Sequence, residues 1–184
     1  MLTDRGIWLI YPECLSSEQS ERLECAAVNA VTCELATHVP AELTLAQWAV
    51  ESGWGQHQPG NNCFGIKAYN GCYGTQLLET TEVVHGVTQH LPQEFATFPT
   101  LAECFEKHAR LICEGPPYAT VWVQYEHSSN LGQLIHGIAP IYSTSPTYGQ
   151  LLLEVVSMQP VQQAILAARN SLHQPPQPVP TTSV

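Results

Sequence analysis

Basic residues are scarce in this chain. Six lysines and arginines stand against 16 aspartates and glutamates in 184 residues, and charges of both signs make up only 12%. A net charge of −10 leaves little with which to grip phosphate, so nucleic acid is excluded as a main partner. The same lack removes the basic amphipathic face that anionic membranes attract. No apolar run approaches the roughly 20 residues of a membrane span. The short patch Ile7–Tyr11 is broken by Pro12 and falls short of a signal-peptide core, so no cleaved signal is expected. No two cysteines are spaced CxxC, which argues against zinc-ribbon and thioredoxin-type readings. There are no internal repeats.

What remains is an apolar chain with neutral polar chemistry. Hydrophobic residues make up 44%, enough for one domain of ordinary size over residues 1–173. The closing PPQPVPTTSV (residues 175–184) lies in a Pro-rich stretch, 174–184, with no means of burying itself. With so little charge, recognition must lean on Gln, Asn, Ser, Thr and His, which suits a neutral polymer. The seven cysteines, at 14, 25, 33, 63, 72, 104 and 113, read as small buried thiols. An oxidising compartment would allow a Cys63–Cys72 bridge across a loop. The eight histidines show no metal spacing, and no metal or cofactor is expected.

Periodicity predicts a helix over residues 16–38, with Leu23, Ala26, Ala27, Ala30, Val31 and Leu35 on one face. Ser16 or Ser17 caps it and Pro40 limits it. A second helix spans 41–52, with Leu45, Trp48 and Ala49 inward, and Gly53 and Gly55 stop it. Residues 56–72 read as loop. The Thr- and Val-rich stretch that follows reads as a β-hairpin turning at His85-Gly86. Thr100 and Glu103 form a capping-box pattern for a third helix, with Leu101, Cys104, Phe105, His108 and Ile112 near one face. An irregular helical region is expected over 117–138. Ser145-Pro146 reads as an N-cap and first helical position, opening a helix to about Ser157, and another helix spans 161–172. The fold class is α+β, mainly helical, with a small β-hairpin lobe at one side and a cleft where the lobe meets the helices.

One acid in this layout is oddly placed. In AVESGWGQHQPGNNCFGIKA, Glu51 ends the second helix between Trp48 and Trp54. The helix dipole is already negative there, and two indoles partly desolvate the carboxylate; both raise its pKa. That is what a general acid needs near neutral pH. A solvated helix-end acid followed by a turn explains the same residues, and the spacing alone does not choose between the two.

The wider pattern does. Ala46, Gln47, Glu51, Ser52, Gly53, Trp54 and Gly55, then Asn61, Asn62, Phe64, Gly65, Ile66, Lys67 and Ala68, resemble A-Q-x-x-x-E-S-G-W-G and N-N-x-F-G-I-K-A of the glucosaminidase family of glycoside hydrolases. That family is lysozyme-like in fold and includes autolysins and flagellar peptidoglycan hydrolases. Residues 80–86, 95–112 and 141–152 resemble its later segments, so the likeness covers about residues 40–156. Ser145 stands where the family has aspartate, and Cys63 where it has an aliphatic or aromatic residue.

The resemblance implies a lysozyme-like helical body and an endo-β-N-acetylglucosaminidase acting on peptidoglycan glycan strands. Glu51 would be the general acid and Glu82 the second carboxylate, with Glu79 nearby. Tyr142 would be the third catalytic residue, close to Glu51, its hydroxyl positioning the substrate's acetamido group or stabilising charge. Trp54, Asn62 and Phe64 are candidates for substrate contact, whereas Trp48 reads as core and Tyr148 as packing on a late helix. An N-acetylmuramidase or lytic transglycosylase on the same scaffold is the alternative enzyme. A Cys63–His wall amidase and a non-catalytic glycan-binding or adaptor protein are readings of other classes. Such a substrate lies in the periplasm or cell wall. Without a cleaved signal, delivery by a secretion machine or by phage-type lysis is implied, and a toxin role would add a protective inhibitor as partner.

Overall fold

In the computed structural model the described residues are 15–84 and 87–173, and of residues 81–84 and 87–90 only the backbone is described. Residues 1–14, the 174–184 tail and the expected His85-Gly86 turn therefore lie outside the described residues.

The chain runs α1 (Ser17–Thr37), α2 (Ala41–Ser52), β1 (Gly74–Val84), β2 (Val87–Thr97), α3 (Leu101–Glu114), α4 (Ala119–Ser128), α5 (Leu131–Tyr142), α6 (Tyr148–Ser157) and α7 (Gln159–His173). Short 3₁₀ turns sit at Pro59–Asn61 and Pro116–Tyr118. The two strands form one antiparallel hairpin, in register from Gly74↔Thr97 to Val84↔Val87. The α+β class expected from the sequence is the one observed.

Helix α2 is the centre of the body. Nine of its twelve residues are buried, and it contacts α1, α3, α6 and α7. A helix buried on all sides needs apolar residues all round, and AELTLAQWAVES supplies them with few exceptions. Trp48 is core, as expected, at 2% exposure. The exceptions are informative, because Thr44, Gln47 and Ser52 are polar and fully buried. Outside α2, Arg169 of α7 clamps the body. Its guanidinium donates to both carboxylate oxygens of Glu34 on α1 (2.7 and 3.0 Å) and of Glu42 on α2 (2.9 and 3.0 Å).

Both capping boxes have a local cause. Ser16 accepts from the Gln19 amide while the Gln19 side chain accepts from Ser16, and Thr100 and Glu103 repeat the exchange on α3. Four expectations change. Leu35 is 55% exposed rather than inward, because the buried stripe of α1 drifts to Cys33 while Glu34 turns to Arg169. The irregular region is two separate helices, α4 and α5, broken where Ser129 takes a left-handed φ of 49°. Ser145 does not cap a helix. Residues 145–148 form a turn closed by the Tyr148 amide on the Ser145 carbonyl, and α6 begins at Tyr148. The last helix opens at Gln159, two residues early.

The loop between α2 and the hairpin is pinned to β2. The Ala96 amide donates to the Ile66 carbonyl (3.0 Å) and the Ala68 amide to the Glu94 carbonyl (2.9 Å). The hairpin thus gains a short third segment that ties it to the end of α2.

Candidate active site

The local chemistry of ESGWG explains how Glu51 is presented. Gly53 closes α2 in the left-handed region (φ 58°), and Trp54 (φ 59°) and Gly55 (φ 75°) follow in the same region. Three successive left-handed residues turn the chain sharply away from the helix axis. Ser52 fastens the turn, since its hydroxyl donates to the Trp48 carbonyl (2.6 Å) and accepts from the Gly55 amide (2.8 Å). Arg22 Nε holds the Trp54 carbonyl at 3.0 Å. A Cβ on Gly55 would lie 2.9 Å from Trp48 Cζ2, so glycine is required by space as well as by φ. The Glu51 carboxylate is left half-buried at the end of a core helix.

One hydrogen bond dominates its surroundings. The Tyr148 hydroxyl donates to Glu51 Oε1 at 2.7 Å. Burial raises the Glu51 pKa above the ordinary carboxylate value, and the Tyr148 bond opposes that rise by favouring the charged form. Burial and the Glu51 charge push the Tyr148 phenol well above its usual range. Behind Tyr148, Gln47 Nε2 donates to its oxygen (3.3 Å), and Gln47 Oε1 lies 3.1 Å from His108 Nε2. Burial depresses His108 to about 3, so the imidazole is neutral.

The expected site residues divide. Tyr142 is beside the site but does not bond Glu51. Its hydroxyl donates to the Phe64 carbonyl (3.1 Å), and its ring stacks on Tyr148 at 5.7 Å and 3°. The three expected substrate contacts are buried. Trp54 is 5% exposed, edge-on to Trp48 at 6.4 Å. Phe64 is 2% exposed and stacks on His108 at 3.9 Å. The Asn62 side chain, 6% exposed, spends its hydrogen bonds on the Ile66 and Ala96 carbonyls and the Ile66 amide. Glu82 is paired to Gln89 in the β1–β2 ladder, and its side chain lies outside the described residues. Glu79 is exposed, opposite Pro92.

The cysteines also rearrange. Cys63 Sγ meets Cys104 Sγ at 3.6 Å, both buried, while Cys72 is a free, half-buried thiol. The Cys63–Cys72 bridge is therefore not the contact the fold makes. Among the described residues no group of three or more His, Cys, Asp or Glu could hold a metal ion. No single helix among them is long and apolar enough to cross a membrane. Two grooves, one of about 70 Å³ at Arg22, Trp48 and Phe105 and one of about 460 Å³ between α1 and α7, are lined by residues other than Glu51.

Tyr148, Gln47 and His108 are the site residues that sequence reasoning did not assign. Signals existed. Gln47 interrupts an apolar helix, and His108 sits on the inward face of α3. Buried polar groups must find partners, so two of them on facing apolar surfaces mark a network.

Residues 27–159 match the glucosaminidase family, described as mannosyl-glycoprotein endo-beta-N-acetylglucosaminidase. The peptidoglycan hydrolase FlgJ of Escherichia coli K12 is 27% identical over 163 residues, covering 84% of this chain and 51% of FlgJ. The chain spans about half the length of the FlgJ proteins from that species that it matches. The catalytic domain of the autolysin Auto from Listeria monocytogenes superposes with a TM-score of 0.70 at 22% identity, covering 82% of this chain and 89% of that one. A glycoside hydrolase domain of Salmonella typhimurium FlgJ, C-terminally truncated, gives 0.59 at 27% identity, with 75% and 95% covered.

Proposed function

The chain belongs to the glucosaminidase family, and from that premise we propose that it hydrolyses the β-1,4 bonds following N-acetylglucosamine in peptidoglycan glycan strands. A relative named as a peptidoglycan hydrolase supports the substrate class. The observation that carries the reading is the Glu51–Tyr148 pair. A half-buried carboxyl with a raised pKa holds its proton more tightly than an exposed one, and a fixed donor waits to stabilise the carboxylate once the proton has gone.

In this reading Glu51 protonates the glycosidic oxygen as the bond to the sugar ring breaks and the ring gains oxocarbenium character. Burial sets the proton affinity and the Tyr148 bond limits how far it rises. Glu82 is the second carboxylate. It activates the attacking water, stabilises positive charge on the ring, or leaves that part to the substrate's own acetamido group. The reaction takes place where its substrate is, in the periplasm or cell wall, after delivery by a secretion machine or by lysis. If the setting is antibacterial, a protective inhibitor is the partner to look for.

Digestion of purified cell-wall peptidoglycan with mass spectrometry of the soluble products tests the assignment. N-acetylglucosamine at the new reducing end is the expected product. N-acetylmuramic acid there, an anhydro sugar, or free stem peptide would each overturn the choice of bond.

A further inference from the structure

Two polar side chains with no path to solvent stand behind Tyr148. Gln47 on α2 and His108 on α3 are both 0% exposed. Burying an amide and an imidazole in an apolar core is costly unless they are hydrogen-bonded. They bond to each other at 3.1 Å, and Gln47 bonds on to Tyr148 at 3.3 Å. A core needing only volume at these positions would be built from Leu and Phe, so the polar pair asks for a different explanation.

The direction of the chain is decided at the histidine. His108 Nδ1 is buried without a partner. If Nδ1 carried the proton, a buried N–H would be orphaned. Nε2 would then accept, which requires the amide NH₂ of Gln47 to face it. The Gln47 oxygen would in turn face the Tyr148 hydroxyl and compete with Glu51 for its single proton. If Nε2 carries the proton instead, only a lone pair is left unpaired, and an unpaired acceptor is the less severe defect. The Gln47 oxygen then faces His108, its NH₂ faces the Tyr148 oxygen, and the Tyr148 proton goes to Glu51. All three bonds run one way.

We propose that Gln47 and His108 are positioning residues: His108, as its Nε2–H tautomer, locks the Gln47 amide, and the locked amide commits the Tyr148 proton to Glu51. This rests on the reading of Glu51 as the proton donor. The benefit is preorganisation, since the charge that appears on Glu51 at proton transfer meets a donor already aimed at it. Successive donors also polarise one another, so Tyr148 donates more strongly with Gln47 behind it. Aromatic walls keep the relay in place: Phe64 stacks on His108, and Tyr142 meets that ring edge-on at 6.0 Å. Among the described residues, the titratable groups that Glu51 faces are Tyr148 of α6 and Tyr142 of α5.

Two measurements test the relay without depending on turnover. Long-range ¹H–¹⁵N NMR of the folded wild-type protein reads the His108 tautomer directly. A protonated Nε2 and a bare Nδ1 are expected, and a protonated Nδ1 would overturn the proposal even if every variant failed to fold. The second measurement follows the Glu51 carboxyl carbon through a pH titration. Gln47→Met and His108→Phe should each move its midpoint to higher pH, in the direction of Tyr148→Phe. Gln47→Met combined with Tyr148→Phe should move it no further than Tyr148→Phe alone. Unmoved midpoints, or shifts that add, would overturn the relay. Neither experiment reads cleavage, so both still decide on the relay if the protein is inactive on glycan strands. Failure of the relay in turn leaves the proposed activity to its own test.

Discussion

Tyr148 donates to Glu51 over 2.7 Å and so joins the first residue of α6 to the last turn of α2, 97 residues apart. Two opposed effects meet at this contact. Burial favours the protonated carboxyl, and the tyrosine favours the charged one. Tyr148→Phe removes only the second. The Glu51 midpoint should rise, and kcat should fall roughly ten- to a hundredfold, the equivalent of the about 1.5–3 kcal/mol carried by a hydrogen bond to a charged group. A pH–rate profile checks both parts, since a general acid fails above its own pKa and the alkaline limb should move up. An unchanged profile would remove Tyr148 from the chemistry.

Glu51→Gln should abolish cleavage and yet stabilise the fold at neutral pH. The sign follows from linkage. A carboxyl whose folded pKa is raised binds its proton more tightly in the folded state, so its stabilising contribution is complete below the unfolded value and is lost as pH rises through the folded one. The amide has no such loss. The melting temperature of the variant should exceed that of wild type at pH 7 and converge with it in acid. A gap of the opposite sign would mean that the ionised form is the better accommodated one.

Tyr142→Phe makes the contrast with Tyr148 visible. Its hydroxyl serves the Phe64 carbonyl and not the acid. The loss should cost about 1 kcal/mol of stability, typical of one neutral hydrogen bond, with the Glu51 titration in place. Urea unfolding beside a carboxyl titration separates the two tyrosines.

The fate of these tyrosines shows where sequence reasoning stops. IYSTSPTYGQLL announces two tyrosines near a helix start but carries no distance to Glu51, which is set by how α6 crosses α2. The helices themselves were legible, because α2 and α3 write their burial into apolar spacing and their starts and stops into capping residues and glycine. Exposure was less legible for single residues. Trp54 and Phe64 look like sugar platforms in a motif, and only three-dimensional packing reveals that Trp48 and His108 already cover them. Leu35 missed for the same reason in reverse, since a periodic stripe does not say where the neighbouring helix ends.

Gly55 and Gly65 offer a matched pair for the loop that presents the acid. Both are left-handed, at φ 75° and 63°. Around Gly65 an added Cβ meets nothing within 4 Å, whereas at Gly55 it would meet Trp48 and Arg22 at 2.9 and 3.0 Å. Gly65→Ala should therefore cost only the backbone term of roughly 1–2 kcal/mol. Gly55→Ala should cost more and also disturb Glu51, because Trp48 belongs to the same turn of α2. Equal denaturant midpoints for the two variants would show that the contact at Gly55 yields freely.

Glu82→Gln tests the second carboxylate proposed to work opposite Glu51. Glycosidases divide the labour between two carboxyls, one giving a proton and the other serving the anomeric carbon. Glu82 occupies the hairpin position that the family resemblance assigns to the second role, and the β1 ladder places it three residues beyond Glu79. An odd separation puts two residues of a regular strand on opposite faces, so the variants of the two acids are expected to differ. Glu82→Gln should lower kcat about a hundredfold or more, the usual scale for a general base, while Glu79→Gln should leave it within a few-fold. Added azide, a small nucleophile, should restore turnover to the Glu82 variant and do nothing for Glu51→Gln, because a nucleophile replaces an activated water but not a proton donor. Full activity in Glu82→Gln would transfer the role to the substrate's acetamido group.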